Sequence, residues 1–218
     1  QMSRDVVSYL LNTVQNDLTA RYGELWPVRG ILDRNYGETR VPRVPSVIFE
    51  SLSHQNFMDL VYAHDPDFKF TLSRSVYKAL LKHLCYVRGT DYVVQPLPVS
   101  HFAMSMSDKE NEVKLSWRAV EDALEPTAKP EGYIVYCSVN GAGFDNGTVV
   151  RDPQCKVTVE KGVFYSFKVA AFNDGGCSMS SEVLAVYVSG KTDKKVLVVN
   201  GFHRLSGPCS VSTEKRVG

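Results

Sequence analysis

The chain has 218 residues, 44% of them hydrophobic and 22% charged, with a formal net charge of +1. That composition predicts folded cores rather than disorder, and the length predicts two domains with some chain left over. Acids and bases are evenly mixed, which gives no electrostatic reason for nucleic acid or an anionic membrane as partner. No apolar run approaches ~18 residues and no charged, apolar leader opens these residues, so neither a membrane span nor a signal peptide is read in them.

Residues 3–20 place Val6, Leu10, Val14 and Leu18 four apart with Leu11 beside them, one apolar stripe of a helix. Ser3 is the expected N-cap and Asp5 falls in the first turn. The following stretch carries Pro27, Pro42 and Pro45 with two glycines, and reads as loops and short extended pieces. Val47, Ile48 and Phe49 are apolar without alternation, which predicts a strand buried on both faces in a mostly parallel sheet, with Glu50 at its carboxyl end. Asn56 or a neighbour starts a short helix. A longer one is expected from about Thr71 to Val87, with Leu72, Val76, Leu80 and Leu84 as its apolar face and Tyr77 and Leu81 alongside. Gly89-Thr90 ends it, and the Pro96/Pro98 stretch reads as a stiff linker.

From His101 onward the pattern changes to short alternating strands separated by turns at Asn140-Gly141, Asn146-Gly147 and Asp174-Gly175-Gly176. Val113, Leu115 and Trp117 point one way along one strand; Tyr133 and Val135 do so along the next, leaving its face open to either assignment. Phe164, Phe167 and Val169 sit in a third run, so residues 113–188 predict a β-sandwich. Val196 to Val199 form a further continuous apolar run that reads as a buried strand.

Five cysteines, Cys85, Cys137, Cys155, Cys177 and Cys209, lack CxxC spacing, which argues against a structural zinc or redox motif. Cys137 and Cys155 fall on neighbouring candidate strands and are left open between free thiols and a bridge. His54, His64, His83, His101 and His203 form no HxxxH or HExxH pattern. Glu50 is the one residue placed like a catalyst, because ligands in open α/β sheets sit outside the carboxyl ends of strands. Capping a helix or pairing with Arg40 or Arg43 is the alternative on spacing alone, and a Glu50/His54 pair falls short of a three-ligand metal site.

The segment from Pro45 through the long helix resembles the closing part of the zinc-dependent N-acetylmuramoyl-L-alanine amidases. It runs Pro45, Val47-Ile48-Phe49, Glu50, Asn56, Asp59 and the helix from Ser73. The upstream helix and the Arg29-Gly30 step fall in the family's order, while the Ser51–Asn56 loop departs from its glycine- and leucine-rich version. This covers about residues 3–88. The resemblance implies that Glu50 is catalytic, moving a proton beside a zinc that lowers the pKa of its bound water and polarises the amide carbonyl. It also implies that the zinc ligands belong to a front half of the domain whose motifs are not in this sequence. Residues around Trp117, Tyr133, Tyr136 and the run from Tyr165 resemble a fibronectin type III module, which makes Tyr165 the corner tyrosine whose hydroxyl meets nearby backbone.

The expected architecture is therefore an α/β amidase-like half domain over 1–90, a linker at 91–100, a fibronectin type III-like sandwich over 101–190, and the start of a truncated further domain over 191–218. Function is expected as part of a secreted or periplasmic peptidoglycan hydrolase that cleaves the N-acetylmuramoyl-L-alanine bond and is inactive as this chain by itself. Alternatives are a non-catalytic envelope binding or spacer protein and, because proteins of this order are also labelled xanthan lyase, a polysaccharide lyase for which no residues speak. Zinc is the expected cofactor. The expected partners are peptidoglycan or another envelope glycan, and a separate chain carrying the missing half. The chain is expected to extend in both directions, since a strand buried on both faces cannot stand free.

Overall fold

The computed structural model describes residues 2–23, 25–109, 111–191 and 196–199. The chain divides into two compact units, one up to Tyr92 and one from Val93 to Val199.

The first unit is helical: α1 (Met2–Tyr22), α2 (Gly37–Arg40), α3 (Phe57–His64) and α4 (Pro66–Arg88). The stripe Val6, Leu10, Val14 and Leu18 is buried as its spacing predicts. Val6 and Leu10 cluster with Ala79 of α4, and Val14 and Leu18 with Phe68. Ser3 does not cap α1; it lies inside the helix, and its Oγ accepts from the Ser46 N–H at 3.2 Å. Asn56 caps α3 by accepting from Met58 N–H at 3.0 Å. The long helix starts earlier than its apolar pattern indicates. Asp65 accepts from Asp67 N–H at 2.8 Å, and Pro66 supplies a fixed φ in the first turn. Gly89, at φ 63°, ends it in the left-handed conformation that lets its N–H reach back to the last turn.

Two expectations for this unit are corrected. Val47–Phe49 is not a strand, and no strand occurs among the described residues of the unit. A strand exists only by hydrogen bonding to another, and among the described residues these have no strand to pair with. Ile48 and Phe49 are accordingly 48% and 43% exposed rather than buried. The buried face of α4 is also displaced in part. Leu72 and Val76 pack half-buried against the α1 clusters as expected, but Leu80 and Leu84 remain exposed, and Phe68, Thr71, Ser75, Lys78, Ala79 and His83 turn inward. A helix packed against one neighbour hides only the stripe facing it, and α1 meets the more polar side of α4.

The second unit is an antiparallel sandwich with strands β1 (Ser100–Met106), β2 (Glu112–Arg118), β3 (Gly132–Val139), β4 (Thr148–Val150), β5 (Gln154–Thr158), β6 (Phe164–Asn173), β7 (Gly176–Cys177) and β8 (Leu184–Tyr187). One sheet has the order β1–β2–β5. In the other, β4, β3 and β6 are adjacent, and β7 and β8 pair successive lengths of the free side of β6. Period-two alternation fixes which residues face inward. Val113, Leu115 and Trp117 meet Tyr133, Val135, Phe167 and Val169 between the sheets. Phe164 points the other way and is 42% exposed.

Tight turns leave the strands. Ala142 N–H bonds Val139 C=O at 3.0 Å across Asn140-Gly141, whose φ values of 52° and 75° are those of a type I′ turn at the end of β3. Tyr165 Oη accepts from Glu160 N–H at 3.3 Å, the corner contact that its position implies. Cys137 and Cys155 are free thiols and lie in different sheets, on β3 and β5.

The stretch read as a linker, 91–100, is for the most part sandwich. Val94, Leu97 and Val99 are buried, and Val94 C=O accepts from the Asn173 amide at 2.9 Å. The turn at Gly175 comes so close that a Cβ there would sit 2.5 Å from Val93 O, which explains a glycine at that position. Val196–Val199 is not a strand, and each of these residues is at least 77% exposed. His203, Cys209 and the rest of the region read as a further domain lie outside the described residues.

Candidate functional site

Within the helical unit, one face of α1 and the segments around 26–36 and 46–53 line a groove of about 990 Å³. Leu10, Leu11, Val14 and Leu18 form its apolar wall, and Val47 to Leu52 run along it. Glu50 is on that rim. It is exposed, it makes no hydrogen bond or ion pair among the described residues, and the alternative pairing with Arg40 or Arg43 is not formed. Asp59, the acidic position that follows Asn56, lines the same groove, but its carboxylate is occupied. Oδ2 accepts from Ser53 N–H at 2.7 Å and Oδ1 from the Asn56 amide at 3.2 Å, which holds the loop after Glu50 to the start of α3.

The histidines do not assemble. His54 and His64 are exposed near α3, His101 is exposed in β1 of the other unit, and His83 is buried in α4 against Tyr9, ring centroids 5.6 Å apart. Among the described residues no group of three or more His, Cys, Asp and Glu side chains comes together that would hold a metal ion. Zinc needs three or four such ligands on one centre, so the residues described here do not fit a zinc site.

The most concentrated polar chemistry in the unit is one the sequence pattern did not reveal. Lys78 Nζ lies 2.9 Å from Asp17 Oδ2, and Ser75 Oγ donates to the same carboxylate oxygen at 2.6 Å. Ser75 and Lys78 are only 1% and 2% exposed. A Ser-x-x-Lys spacing on a helix can serve nucleophilic catalysis, but here no substrate reaches the hydroxyl, and the cluster acts as a buried bolt between α1 and α4. Its only sequence signal is that Asp17, Ser75 and Lys78 fall on the stripes by which the two helices meet. A neighbouring surface link joins Arg21 to Asp67 at 2.8 Å, and the bond to Asp67 raises the Arg21 pKa. Burial, followed by the charge of Asp67, raises that of Tyr22.

Two thiols of the sandwich are held toward the protonated form by the same physics. Burial pushes the Cys137 thiol up, with a further push from Asp145, and burial pushes up Cys155. Cys177 is exposed. On treating the native chain with iodoacetamide near pH 8, Cys177 is expected to be alkylated well before Cys137 and Cys155, as read by peptide mass mapping over time. Equal rates at the three positions would contradict the packing of β3 and β5.

No protein-family model matches the chain, and no curated protein matches it. Solved structures similar to part of it include the twitchin kinase region from C. elegans, at 22% identity over 46% of this chain and 18% of that chain, with a TM-score of 0.39. The fourth FNIII domain of a human protein is 20% identical over 49% of this chain and 89% of that one, with a TM-score of 0.40. Titin kinase and its flanking domains are 24% identical over 44% of this chain and 18% of that one, with a TM-score of 0.35. The chain thus spans under a fifth of the twitchin and titin structures. These likenesses are faint, and the architecture rests on strand order, register and core: the second unit is an all-β, two-sheet sandwich, and its structural neighbours include fibronectin type III domains.

Proposed function

We propose that the chain is part of a secreted peptidoglycan hydrolase that cleaves the amide bond between N-acetylmuramic acid and L-alanine, with Glu50 as its contribution to the chemistry. The observation that carries this reading is the pattern Pro45, Val47–Phe49, Glu50, Asn56, Asp59 and terminal helix, together with the exposed place of Glu50 on the groove rim. A free carboxylate there is able to take a proton from the attacking water and return it to the leaving amine. Zinc is the metal of this chemistry, and its ligands are proposed to lie outside this sequence. The described residues lack them, and that same observation favours a second reading, in which the chain is a non-catalytic envelope binding or spacer protein.

The two readings separate on measurement. The 218-residue chain by itself is expected to bind no zinc tightly and to release no peptide from muropeptides. In an enzyme completed with a ligand-bearing segment, Glu50→Gln is expected to lower turnover by roughly 10²–10⁴-fold while zinc content and melting temperature stay unchanged, as befits a proton-transfer group that is not a ligand. Full activity in that variant removes Glu50 from the mechanism. Absence of activity in every completed form leaves the binding or spacer reading.

A further inference from the structure

We propose that the outward face of the sheet formed by β3, β4, β6 and β8 is a docking surface for a linear anionic polysaccharide. Phe167, Val169 and Ala171 of β6 face the core, so Phe164, Ser166, Lys168 and Phe172 lie on the outer face, with Ala170 among them covered at 2% exposed. From Phe164 to Phe172 this row extends roughly 26 Å at ~3.3 Å per residue, long enough for several sugar rings laid end to end.

The chemistry of the row is uneven. At one end Phe164 stands opposite Tyr187 in the strand register, and the two are 42% and 57% exposed. Such a pair offers open aromatic faces on which the C–H faces of sugar rings stack. In the middle, Lys168 lies between the Tyr136 and Phe144 rings, 5.3 and 4.3 Å from their centroids. At the far end the exposed guanidinium of Arg151 lies over Phe172 at 5.5 Å. Cations seated on rings are held in place without being neutralised, and so stay available to an anion.

None of these four strands contains an aspartate or glutamate. At the margin, Asp145 accepts from the Cys137 and Gly147 N–H groups at 2.9 Å, which commits one of its oxygens to backbone. The face therefore combines apolar rings with two fixed positive charges, complementary to a chain of sugar rings bearing carboxylates. An acidic peptide would answer the charges but not the aromatic pair. The opposite sheet is a built-in comparison, because it presents Lys114 and Arg118 outward, with Lys156 paired to Glu112 at 3.1 Å, and no exposed Phe, Tyr or Trp on its strands. Charge by itself does not separate the two faces; stacking favours this one. The inference does not depend on amidase activity, and the experiment contains no step that needs it.

The test is affinity electrophoresis of the full chain through gels containing polygalacturonate, neutral dextran or polyglutamate. Polygalacturonate is expected to retard the protein, and dextran and polyglutamate to do so weakly or not at all. Lys168→Glu with Arg151→Glu is expected to weaken binding about tenfold or more, and Phe164→Ala with Tyr187→Ala several-fold, whereas Lys114→Glu with Lys156→Glu leaves it within about twofold. Melting curves are recorded for each variant, and if the charge reversal fails to fold, the aromatic pair decides. No retardation by polygalacturonate overturns the proposal. So does an equal loss in the Lys114/Lys156 variant, and binding of polyglutamate as tight as that of polygalacturonate turns the face into an acidic-peptide site and overturns it too.

Discussion

Replacing Trp117 by alanine is expected to destabilise the sandwich by about 3–5 kcal/mol, a large part of the ~5–15 kcal/mol that a domain of this size has to lose. The indole is 4% exposed and packs edge-on against Tyr133, with centroids 5.3 Å apart, and against Phe102 at 6.3 Å. Truncation removes both contacts and opens a void where the two sheets meet. The indole N–H, however, has no hydrogen-bond partner in the structure, so a desolvation cost is already present in the native protein. Trp117→Phe drops that cost while keeping a ring, and is expected to destabilise by less than half as much as the alanine change. The chain has two tryptophans, and the other, Trp26, is in the helical unit. In Trp117→Ala its fluorescence reports that unit by itself, while circular dichroism follows the strands. An unchanged urea midpoint for the strand signal would mean that β2 does not pack as described.

The same residue shows why the sandwich was legible in the sequence. Alternation of period two is a local signal: Val113, Leu115 and Trp117 declare an inward face before any partner strand is known. The Leu18 stripe of α1 was readable for a related reason, since four-residue spacing marks one side of a helix whatever covers it. Three features were not readable, and each depends on what lies across from the residue. Val47–Phe49 has the composition of a buried strand, but being one requires hydrogen bonds from a neighbouring strand, which the described residues do not supply. Residues 93–99 look like a proline-rich tether, and only the approach of the Gly175 turn and the Asn173 amide shows them to be part of a core. The apolar periodicity of α4 favours Leu80 and Leu84, whereas the helix buries Ser75, Lys78 and His83. Polar residues enter a core only when their partners are in place, and such partners lie far away in sequence. For Glu50, its place on the groove follows from the fold; the catalytic role proposed for it rests on the resemblance and awaits the completed-enzyme test.

The Asp17–Lys78 pair supports the second large prediction. Both charges are out of water: the Lys78 side chain is 2% exposed and that of Asp17 12%. Bringing two ions into an apolar setting costs several kcal/mol each, and what offsets it here is their contact, 2.9 Å to one carboxylate oxygen and 3.1 Å to the other, with the Ser75 hydroxyl on the first. Lys78→Met keeps the shape of the stem and removes the charge. Asp17 then retains only the Ser75 hydroxyl among the bonds described for its carboxylate, and the α1–α4 packing is expected to lose about 3–5 kcal/mol, with Trp26 fluorescence and the helical melt reporting the loss. Adding Asp17→Asn to that variant neutralises the remaining charge and is expected to restore most of the loss, because replacing both members of a buried pair is commonly close to neutral. The double change is thus expected to be more stable than Lys78→Met, a sign reversal that no sum of independent side-chain losses produces. If Lys78→Met costs less than about 1 kcal/mol, the pair behaves like a solvated surface ion pair, and α1 and α4 do not close over it.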